Sequence, residues 1–270
     1  MNYLIYILIF IFGSCIGSFL NVVILRLKAN EKFVFGRSHC VNCNHQLKWF
    51  ENIPLLSFVF LKGKCLKCKQ KISLQYFFVE LATGILFLLA FLKVFEVLDI
   101  SPGLGVVNIF LLLFYFITIS FLIIIFVYDL KYYLILDKIS IPAIAVVLFF
   151  QAFLLFLNKN LLFTDYLLFI FSGIIISGFF LLQFIISKGK WIGGGDIRLG
   201  FLMGIILGFP MSLVALFLSY ILGLIVSLPL LIIGKKRMKS EIPFGTFLVA
   251  GTIITMFLGD KILNWYLNLF

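Results

Sequence analysis

The stretch Trp191-Ile-Gly-Gly-Gly-Asp-Ile-Arg-Leu-Gly200 joins three glycines and an aspartate to the start of an apolar run. Glycine permits close approach of two backbones and dihedral angles that are closed to other residues. A carboxylate at the mouth of an apolar segment is costly to place there, which makes Asp196 a candidate functional residue. The apolar run that follows, 197–209, is one of several in the chain, so the stretch belongs to a membrane protein.

The composition of the chain is that of a membrane protein. Of its 270 residues, 63% are hydrophobic and 12% are charged, whereas an ordinary soluble domain is about half apolar and about a quarter charged. Apolar runs of spanning length, roughly 20 residues, occur eight times, at 3–25, 73–95, 104–128, 139–157, 163–187, 197–209, 211–233 and 244–267. The sixth is short and Pro210 separates it from the seventh, so this pair is either two spans or one broken element. The pattern predicts an all-α polytopic membrane protein with about eight transmembrane helices.

The distribution of basic residues predicts the orientation of these helices. If the N-terminus is outside, 19 of the 22 Lys and Arg residues fall in or beside cytoplasmic loops, as the positive-inside rule requires. We therefore attribute the net charge of +11 to loops beside membrane lipid and not to nucleic-acid binding. The same topology places Asp129 and Asp196 on the cytoplasmic side. Nothing in the sequence specifies the oligomeric state.

The first cytoplasmic loop contains two CxxC pairs with the spacing of a zinc site. Cys40-Val-Asn-Cys43 and Cys65-Leu-Lys-Cys68 are separated by 21 residues, and four thiolates complete a tetrahedral site. Disulfides are disfavoured in the cytoplasm. We therefore expect structural Zn²⁺, with a redox pair or unliganded thiols as alternatives. The metal would fold a loop too small to bury a core of its own.

These features divide the chain into three segments. Residues 1–26 are expected to form the first transmembrane helix. Residues 27–72 are expected to form a small cytoplasmic, zinc-ribbon-like four-cysteine module between helices 1 and 2. Residues 73–270 are expected to form a transmembrane catalytic domain, because they contain both aspartates.

Asp129 and Asp196 are candidates for a catalytic pair. Asp129 ends the run 104–128 and Asp196 precedes the run 197–209, so both carboxylates lie at one membrane face. Two carboxylates on either side of one water can hydrolyse a peptide bond when one is ionised and the other is protonated. The glycines before Asp196 would let an extended substrate come within hydrogen-bonding range of the backbone; they are Gly193, Gly194 and Gly195. The sequence contains no GxSxG, HExxH or P-loop motif that would point to another catalytic set.

Other polar features have both structural and functional interpretations. We expect Asn21 to make an interhelical hydrogen bond and Asp137 to cap the fourth span. Glu80 either pairs within the bundle or lines the site. Pro243-Phe-Gly245 either starts the last helix or borders the site.

Two other functions fit parts of the pattern. An ion-coupled transporter also uses intramembrane acids and glycine-broken helices, but the acids here lie near an interface and no inverted repeat is evident. A membrane-anchored zinc module that only recruits partners would need the four cysteines and not the aspartates.

Several motifs together resemble the prepilin peptidases, the type IV leader peptidases of bacterial pilus and type II secretion systems. The resemblance spans nearly the whole chain, and the first hundred residues are the most specific part. The matching segments are Gly17-Ser-Phe-Leu-Asn-Val-Val-Ile-Leu-Arg26, Arg37-Ser-His-Cys-Val-Asn-Cys43, Trp49-Phe-Glu-Asn-Ile-Pro-Leu-Leu-Ser57, Gly63-Lys-Cys-Leu-Lys-Cys68, Ile72-Ser-Leu-Gln-Tyr76, Val79-Glu-Leu81, Asp129, Gly193-Gly-Gly-Asp196 and Pro243-Phe-Gly245. The sequence departs from the family at Leu136, where proline is usual, and at Arg198, where lysine is common.

The resemblance implies a GxGD-type intramembrane aspartyl endopeptidase of the bacterial inner membrane. Asp129 and Asp196 match the family's two catalytic aspartates, and Cys40, Cys43, Cys65 and Cys68 match its tetracysteine motif. Members cut the basic leader from prepilins or pseudopilins on the cytoplasmic side, and many then methylate the new N-terminal amine with S-adenosylmethionine. The residues that bind this methyl donor do not follow from the sequence.

Overall fold

The computed structural model describes residues 3–29, 31, 36, 38–97, 105–157, 163–233 and 242–269. Within these ranges the regular structure is helical, with only isolated β-bridges at His39–Gln46 and Lys64–Lys71. The helices are α1 (Tyr3–Ala29), α2 (Leu56–Phe60), α3 (Leu74–Leu92), α4 (Gly105–Tyr132), α5 (Asp137–Leu157), α6 (Phe163–Ser187), α7 (Gly194–Leu207), α8 (Met211–Ile232) and α9 (Phe244–Leu267). A 3₁₀ turn at Trp49–Asn52 precedes α2, and a π-helical turn at Lys93–Val97 extends α3.

Most of these helices have the dimensions of membrane spans. Seven in the described ranges are long and apolar enough to cross a bilayer, namely α1, α3, α4, α5, α6, α8 and α9. The sixth apolar run forms α7, which has only 14 residues and rises about 21 Å. The predicted fold class, an all-α polytopic membrane protein, is therefore confirmed, with one of the eight expected helices shorter than a full span.

The break between α7 and α8 makes them separate helices. Gly208, the C-cap residue of α7, has a φ of +69° and a ψ of 178°, a backbone conformation that is essentially confined to glycine. Its N–H donates to the carbonyl of Gly204 at 2.8 Å. Pro210 follows within two residues, and proline cannot continue an α-helical hydrogen-bond ladder. The sixth and seventh runs are thus two elements.

The helices group into two compact units. The first comprises Met1–Ser101 and Tyr115–Ile124, and the second comprises Pro102–Phe114 and Ile125–Phe270. The first contains the four cysteines of the CxxC pairs, and the second contains both candidate aspartates.

In the first unit, hydrogen bonds join α1 to α3 within an otherwise apolar interface. The Asn21 side chain is fully buried. Its Nδ2 donates to the carbonyl of Tyr76 at 3.2 Å, and its Oδ1 accepts from Nε2 of Gln75 at 3.2 Å. The expected interhelical hydrogen bond of Asn21 is confirmed. Such bonds satisfy polar groups that would find no hydrogen-bond partner among lipid tails.

In the second unit, α7 packs against α5, α6 and α9. Its contact with α6 is close because small residues face each other. A Cβ added to Gly204 would lie 2.5 Å from the Cα of Gly173 and 2.7 Å from the carbonyl oxygen of Ser172. Small residues allow helix backbones to approach in this way in membranes.

Gly204→Ala should therefore destabilise the second unit, by about 1–3 kcal/mol, because the methyl group meets backbone that cannot rotate away. Gly178→Ala is the matched control, since, among the described residues, no atom beyond the neighbouring backbone of α6 lies within 4 Å of a Cβ at Gly178. The control should be neutral or stabilising by up to about 1 kcal/mol, from helix propensity. Thermal unfolding in detergent measures both, and equal melting temperatures for the two variants would contradict this packing.

Candidate active site and metal centre

The Asp129 carboxylate is held at the N-terminus of another helix. Asp129 lies in the last turn of α4 and is 4% exposed. Its Oδ2 accepts the backbone N–H of Thr246, in the first turn of α9, at 2.9 Å. The backbone N–H of Gly245 is a second donor. Because the first N–H groups of a helix have no partner within that helix, the start of α9 is suited to hold a carboxylate.

Gly245 is required by the closeness of this contact. A Cβ at Gly245 would lie 2.9 Å from Oδ2 of Asp129 and 2.9 Å from Cδ1 of Ile135. The Pro243-Phe-Gly245 segment therefore has both of the roles that the sequence suggested as alternatives. It starts α9, with Pro243 at the N-cap position, and it lies against Asp129.

Asp196 is fixed by its own glycine segment. It lies in the first turn of α7 and is 9% exposed. Its Oδ2 accepts the backbone N–H of Gly193 at 3.0 Å. Gly193 is extended, with φ −80° and ψ 157°, so the chain turns into α7 directly before the aspartate.

The two aspartates are brought to one place by the segment between α4 and α5. The side chain of Ile135 lies against Gly245, beside Asp129, and also against Gly195, beside Asp196. The two carboxylates are within electrostatic range of each other. The second unit thus places two buried acids close together where α4 ends and where α7 and α9 begin.

The three glycines before Asp196 have different surroundings. Gly193 and Gly194 are exposed, and a Cβ at Gly194 would meet no atom of the described chain within 4 Å beyond the adjacent backbone. Gly195 is half-buried, and a Cβ there would lie 2.7 Å from Cβ of Ile135. Open backbone next to the acids is therefore found at Gly193 and Gly194, whereas Gly195 is packed.

An ion pair links the start of α5 to α7. Oδ1 of Asp137, the first residue of α5, lies 2.6 Å from Nη2 of Arg198. Both side chains are more than a third exposed, so the pair contributes little to stability. Its geometric effect is to hold the turn after Asp129 against the helix that carries Asp196.

The sequence did not identify the backbone groups that hold the acids. Thr246 and Ile135 carry no local signal, because their contacts depend on the packing of distant segments. Gly245 in the Pro243-Phe-Gly245 segment was the one sequence feature that indicated such a contact, since a glycine at a helix start allows another group to approach the backbone closely.

The four predicted cysteines meet in the first unit. Their Sγ atoms all lie within 4.8 Å of one another, and those of Cys40 and Cys68 are 3.9 Å apart. A tetrahedral zinc site with Zn–S bonds of about 2.3 Å requires sulfur separations of about 3.8 Å. The donor set and its spacing therefore fit a four-thiolate metal site.

The two CxxC segments have the same local structure. In the first, the Cys40 N–H donates to the His45 carbonyl and the Asn44 N–H donates to the Cys40 carbonyl, both at 2.9 Å. In the second, the Cys65 N–H donates to the Gln70 carbonyl at 2.9 Å and the Lys69 N–H donates to the Cys65 carbonyl at 3.0 Å. Asn44 and Lys69 both have positive φ. These repeated turns present each pair of sulfurs to the same point.

Backbone donors favour thiolate at one of the four cysteines. The N–H groups of Cys68 and Lys67 lower the pKa of the Cys65 thiol to about 6, whereas burial and the neighbouring cysteine sulfurs raise the pKa of Cys68 to about 11. A lowered thiol pKa is typical of cysteines that bind metal as thiolates. The arrangement can hold one ion and leaves no open position on it, which is characteristic of a structural site.

Comparison with known proteins finds similar sequences over most of the chain. A sequence profile described as the bacterial peptidase A24 N-terminal domain matches residues 11–94, and one described as the type IV leader peptidase family matches residues 116–228. The chain is 31% identical to a relative from Aeromonas salmonicida (strain A449), an alignment that covers 97% of this chain and 93% of the relative. It is 31% identical to a relative from Bacillus subtilis (strain 168), with 97% and 98% covered.

A third relative, from Myxococcus xanthus (strain DK1622), is 43% identical over 100 residues, which cover 37% of this chain and 30% of the relative. All three relatives are named prepilin leader peptidase/N-methyltransferase. No solved structure matches the chain significantly.

Proposed function

We propose that this chain, which belongs to the type IV leader peptidase family, removes the leader peptide from type IV prepilins or type II secretion pseudopilins and N-methylates the new N-terminus. The names of relatives that align over nearly the whole chain support both activities. The observation that carries the peptidase is the pair of buried carboxylates, Asp129 and Asp196, in one compact unit.

Mass spectrometry of a co-expressed prepilin tests the two activities together. We expect a product that has lost the leader and gained the mass of one methyl group. Loss of the leader without the gain in mass would support the peptidase activity and refute the methyltransferase activity. An intact prepilin would overturn the whole proposal.

In the proposed mechanism, Asp129 and Asp196 act on one water molecule. The ionised aspartate takes a proton from the water as it attacks the scissile carbonyl, and the protonated aspartate donates a hydrogen bond to the carbonyl oxygen. Two neighbouring carboxylates cannot both ionise easily, so they share a proton. Because backbone N–H groups already bind the Oδ2 atom of each acid, we place the water against the Oδ1 atoms.

We further propose that the reaction occurs at the cytoplasmic face of the bacterial inner membrane, with the N-terminus of the chain outside. The 19 of 22 basic residues that fall on the inner side support this orientation. It requires α7 to cross despite its length, because the basic run Lys235-Lys-Arg-Met-Lys239 follows α8. A prepilin with its apolar segment in the bilayer and its basic leader in the cytoplasm would then present the scissile bond near the acids.

We propose that the metal of the four-cysteine cluster is Zn²⁺ and that its role is structural. The cluster supplies four sulfur ligands with tetrahedral spacing, which is a closed set for zinc. Cys40, Cys43, Cys65 and Cys68 would hold the loop between α1 and α3 in its fold. The methyl group would come from S-adenosylmethionine. Transfer of this methyl group to the amine releases S-adenosylhomocysteine and a proton.

We also propose that the glycine segment Gly193–Gly195 lies along the substrate backbone. Gly194→Ala should then lower kcat/KM for cleavage by about tenfold or more, because a methyl group displaces the substrate from the acids. The melting temperature should stay unchanged, since a Cβ at Gly194 meets only the adjacent backbone within 4 Å in the part of the chain that the structure describes. Gly178→Ala provides the control, and undiminished cleavage by Gly194→Ala would remove Gly194 from the substrate site.

A further inference from the structure

A cavity of about 350 Å³ lies beside the C-terminal half of α1, within the first compact unit. Its volume falls in the range of about 300–1,000 Å³ that is usual for small-molecule sites. One wall is formed by α1 and the other by the segment that contains the first CxxC pair and the 3₁₀ turn. The lining includes Ser18, Phe19, Arg26, Gly36, Ser38 and Asn52.

Arg26 brings a cation to this cavity although its side chain is almost entirely covered. It is 8% exposed, and its Nη2 donates to the carbonyl of Gly36 at 3.0 Å. Gly36 has a φ of +111°, and a Cβ there would lie 3.2 Å from Nη2, so glycine lets the backbone lie against the guanidinium. A planar guanidinium in a lined cavity is the group best suited to bind a carboxylate or phosphate.

Glu80 brings a buried carboxyl group to the same wall. It lies on α3, is 7% exposed, and its Oε2 accepts the N–H of Leu55 at 2.8 Å. The Ser18 hydroxyl also donates to this carboxylate. Ser18 lines the cavity, and Leu55 directly follows the lining residue Pro54, so the carboxylate lies immediately behind the lining.

Leu55 is strained where it contacts Glu80. Its φ is +61°, a conformation that costs a non-glycine residue of order 1–3 kcal/mol and that tends to occur at functional sites. Ser18 and Arg26 are eight residues apart on one helix, which is about 12 Å. The cavity therefore has a guanidinium in its lining and, at the level of Ser18, a carboxyl group behind the lining.

From this arrangement we infer that the cavity binds the methyl donor, S-adenosylmethionine, with Arg26 pairing with the carboxylate of its methionine part and Glu80 supplying negative charge near its sulfonium. The exposed ring of Phe19 offers a stacking surface for the adenine. All the lining residues fall within residues 11–94, the part of the chain that matches the N-terminal domain and not the leader peptidase profile. The inference rests on the proposed methyltransferase activity and assigns residues to it.

The test is equilibrium binding of radiolabelled S-adenosylmethionine and S-adenosylhomocysteine to the purified full-length protein in detergent. Wild type should bind both at one saturable site per chain. Arg26→Gln should weaken both ligands by about ten- to a hundredfold, as expected for the loss of a charge-assisted hydrogen bond. Lys28→Gln removes the same charge two residues along α1, at an exposed position, and should change neither affinity.

Glu80→Gln gives a readout that a merely structural role would not give. Only S-adenosylmethionine carries the sulfonium charge, so this variant should weaken S-adenosylmethionine by about tenfold while S-adenosylhomocysteine binds as to wild type. Equal weakening of the two ligands would show that Glu80 only supports the fold and would overturn its assignment.

Photolabelling of the folded wild type with 8-azido-S-adenosylmethionine covers the case in which the variants fail to fold. Label on residues 15–26 or 36–54 supports the site, and label confined to other peptides overturns it. Normal binding by Arg26→Gln would also overturn it while leaving the methyltransferase intact. Wild type that cleaves prepilin but binds no S-adenosylmethionine would instead remove the methyltransferase half of the proposed function.

A phospholipid headgroup shares with the methyl donor an anionic group that Arg26 can bind. The two are distinguished by lipid analysis of the same preparations. A phospholipid that co-purifies with wild type, is absent from Arg26→Gln and is not displaced by S-adenosylmethionine would identify a lipid site and overturn the inference.

Discussion

Replacement of either Asp129 or Asp196 by asparagine is expected to lower the rate of prepilin cleavage by about a thousandfold or more. Each variant removes one of the two groups that must take up or donate a proton. The carbonyl oxygen of an asparagine can still accept the backbone N–H of Thr246 or Gly193, which now bind the aspartates at 2.9 and 3.0 Å. The fold should therefore survive the loss of activity. The rate is measured with a purified variant and a prepilin peptide in detergent.

Asp260→Asn is the matched control for these variants. Asp260 lies on α9, the helix whose start holds Asp129, but it is exposed and 15 residues from Gly245. It should cleave as wild type does, with all three variants having similar melting temperatures. Full cleavage by Asp129→Asn or Asp196→Asn would refute the mechanism.

Loss of the metal is expected to unfold the four-cysteine module. Purified wild type should contain about one zinc per chain, and Cys40→Ser/Cys65→Ser should contain none, because one ligand is removed from each CxxC pair. Structural zinc contributes apparent free energies of about 10–16 kcal/mol in isolated zinc-finger peptides, and residues 38–72 have little regular structure to replace it. Trypsin should then cut the double variant rapidly at the lysines between Cys43 and Ile72.

Cys15→Ser controls for the chemical change. Cys15 is an exposed thiol on α1 and lies outside the cluster, so this variant should keep its zinc and its resistance to trypsin. Zinc content is measured by elemental analysis of the purified chain. A wild-type protein that is free of metal and yet resists trypsin in the module would contradict the structural role, as would a double variant that retains one zinc.

The helices were largely predictable because membrane spans are set by apolar length. The run 139–157 became α5, which begins two residues earlier at Asp137, and the run 104–128 became α4. The exact ends were less predictable. Helix α4 continues to Tyr132, one turn beyond its apolar run, so Asp129 is a helical residue and not the first residue of a loop. The shortness of α7 follows from the break at Gly208, which the sequence marked only by Pro210.

The candidate site was predictable in its acids and not in their support. Asp129 and Asp196 stood out because carboxylates are rare at the mouths of apolar runs. Their hydrogen-bond donors are backbone groups, and any residue except proline has one. The contact of Ile135 with Gly195 and Gly245 depends on three separate segments of chain. The turn at Leu55 was hidden for a similar reason, because no glycine marks its positive φ.

Asp129 and Asp196 should lie side by side in the membrane-embedded protein. Cross-linking of Asp129→Cys/Asp196→Cys with a short bifunctional thiol reagent in native membranes, in a Cys15→Ser background with a protease site inserted between α5 and α6, measures their proximity. We expect the two halves of the chain to stay joined after proteolysis. The pair Asp129→Cys/Asp260→Cys should not join, because Asp260 is about 22 Å along α9 from the residue that touches Asp129. If the halves of the first pair separate as readily as those of the second, the two aspartates do not share one site.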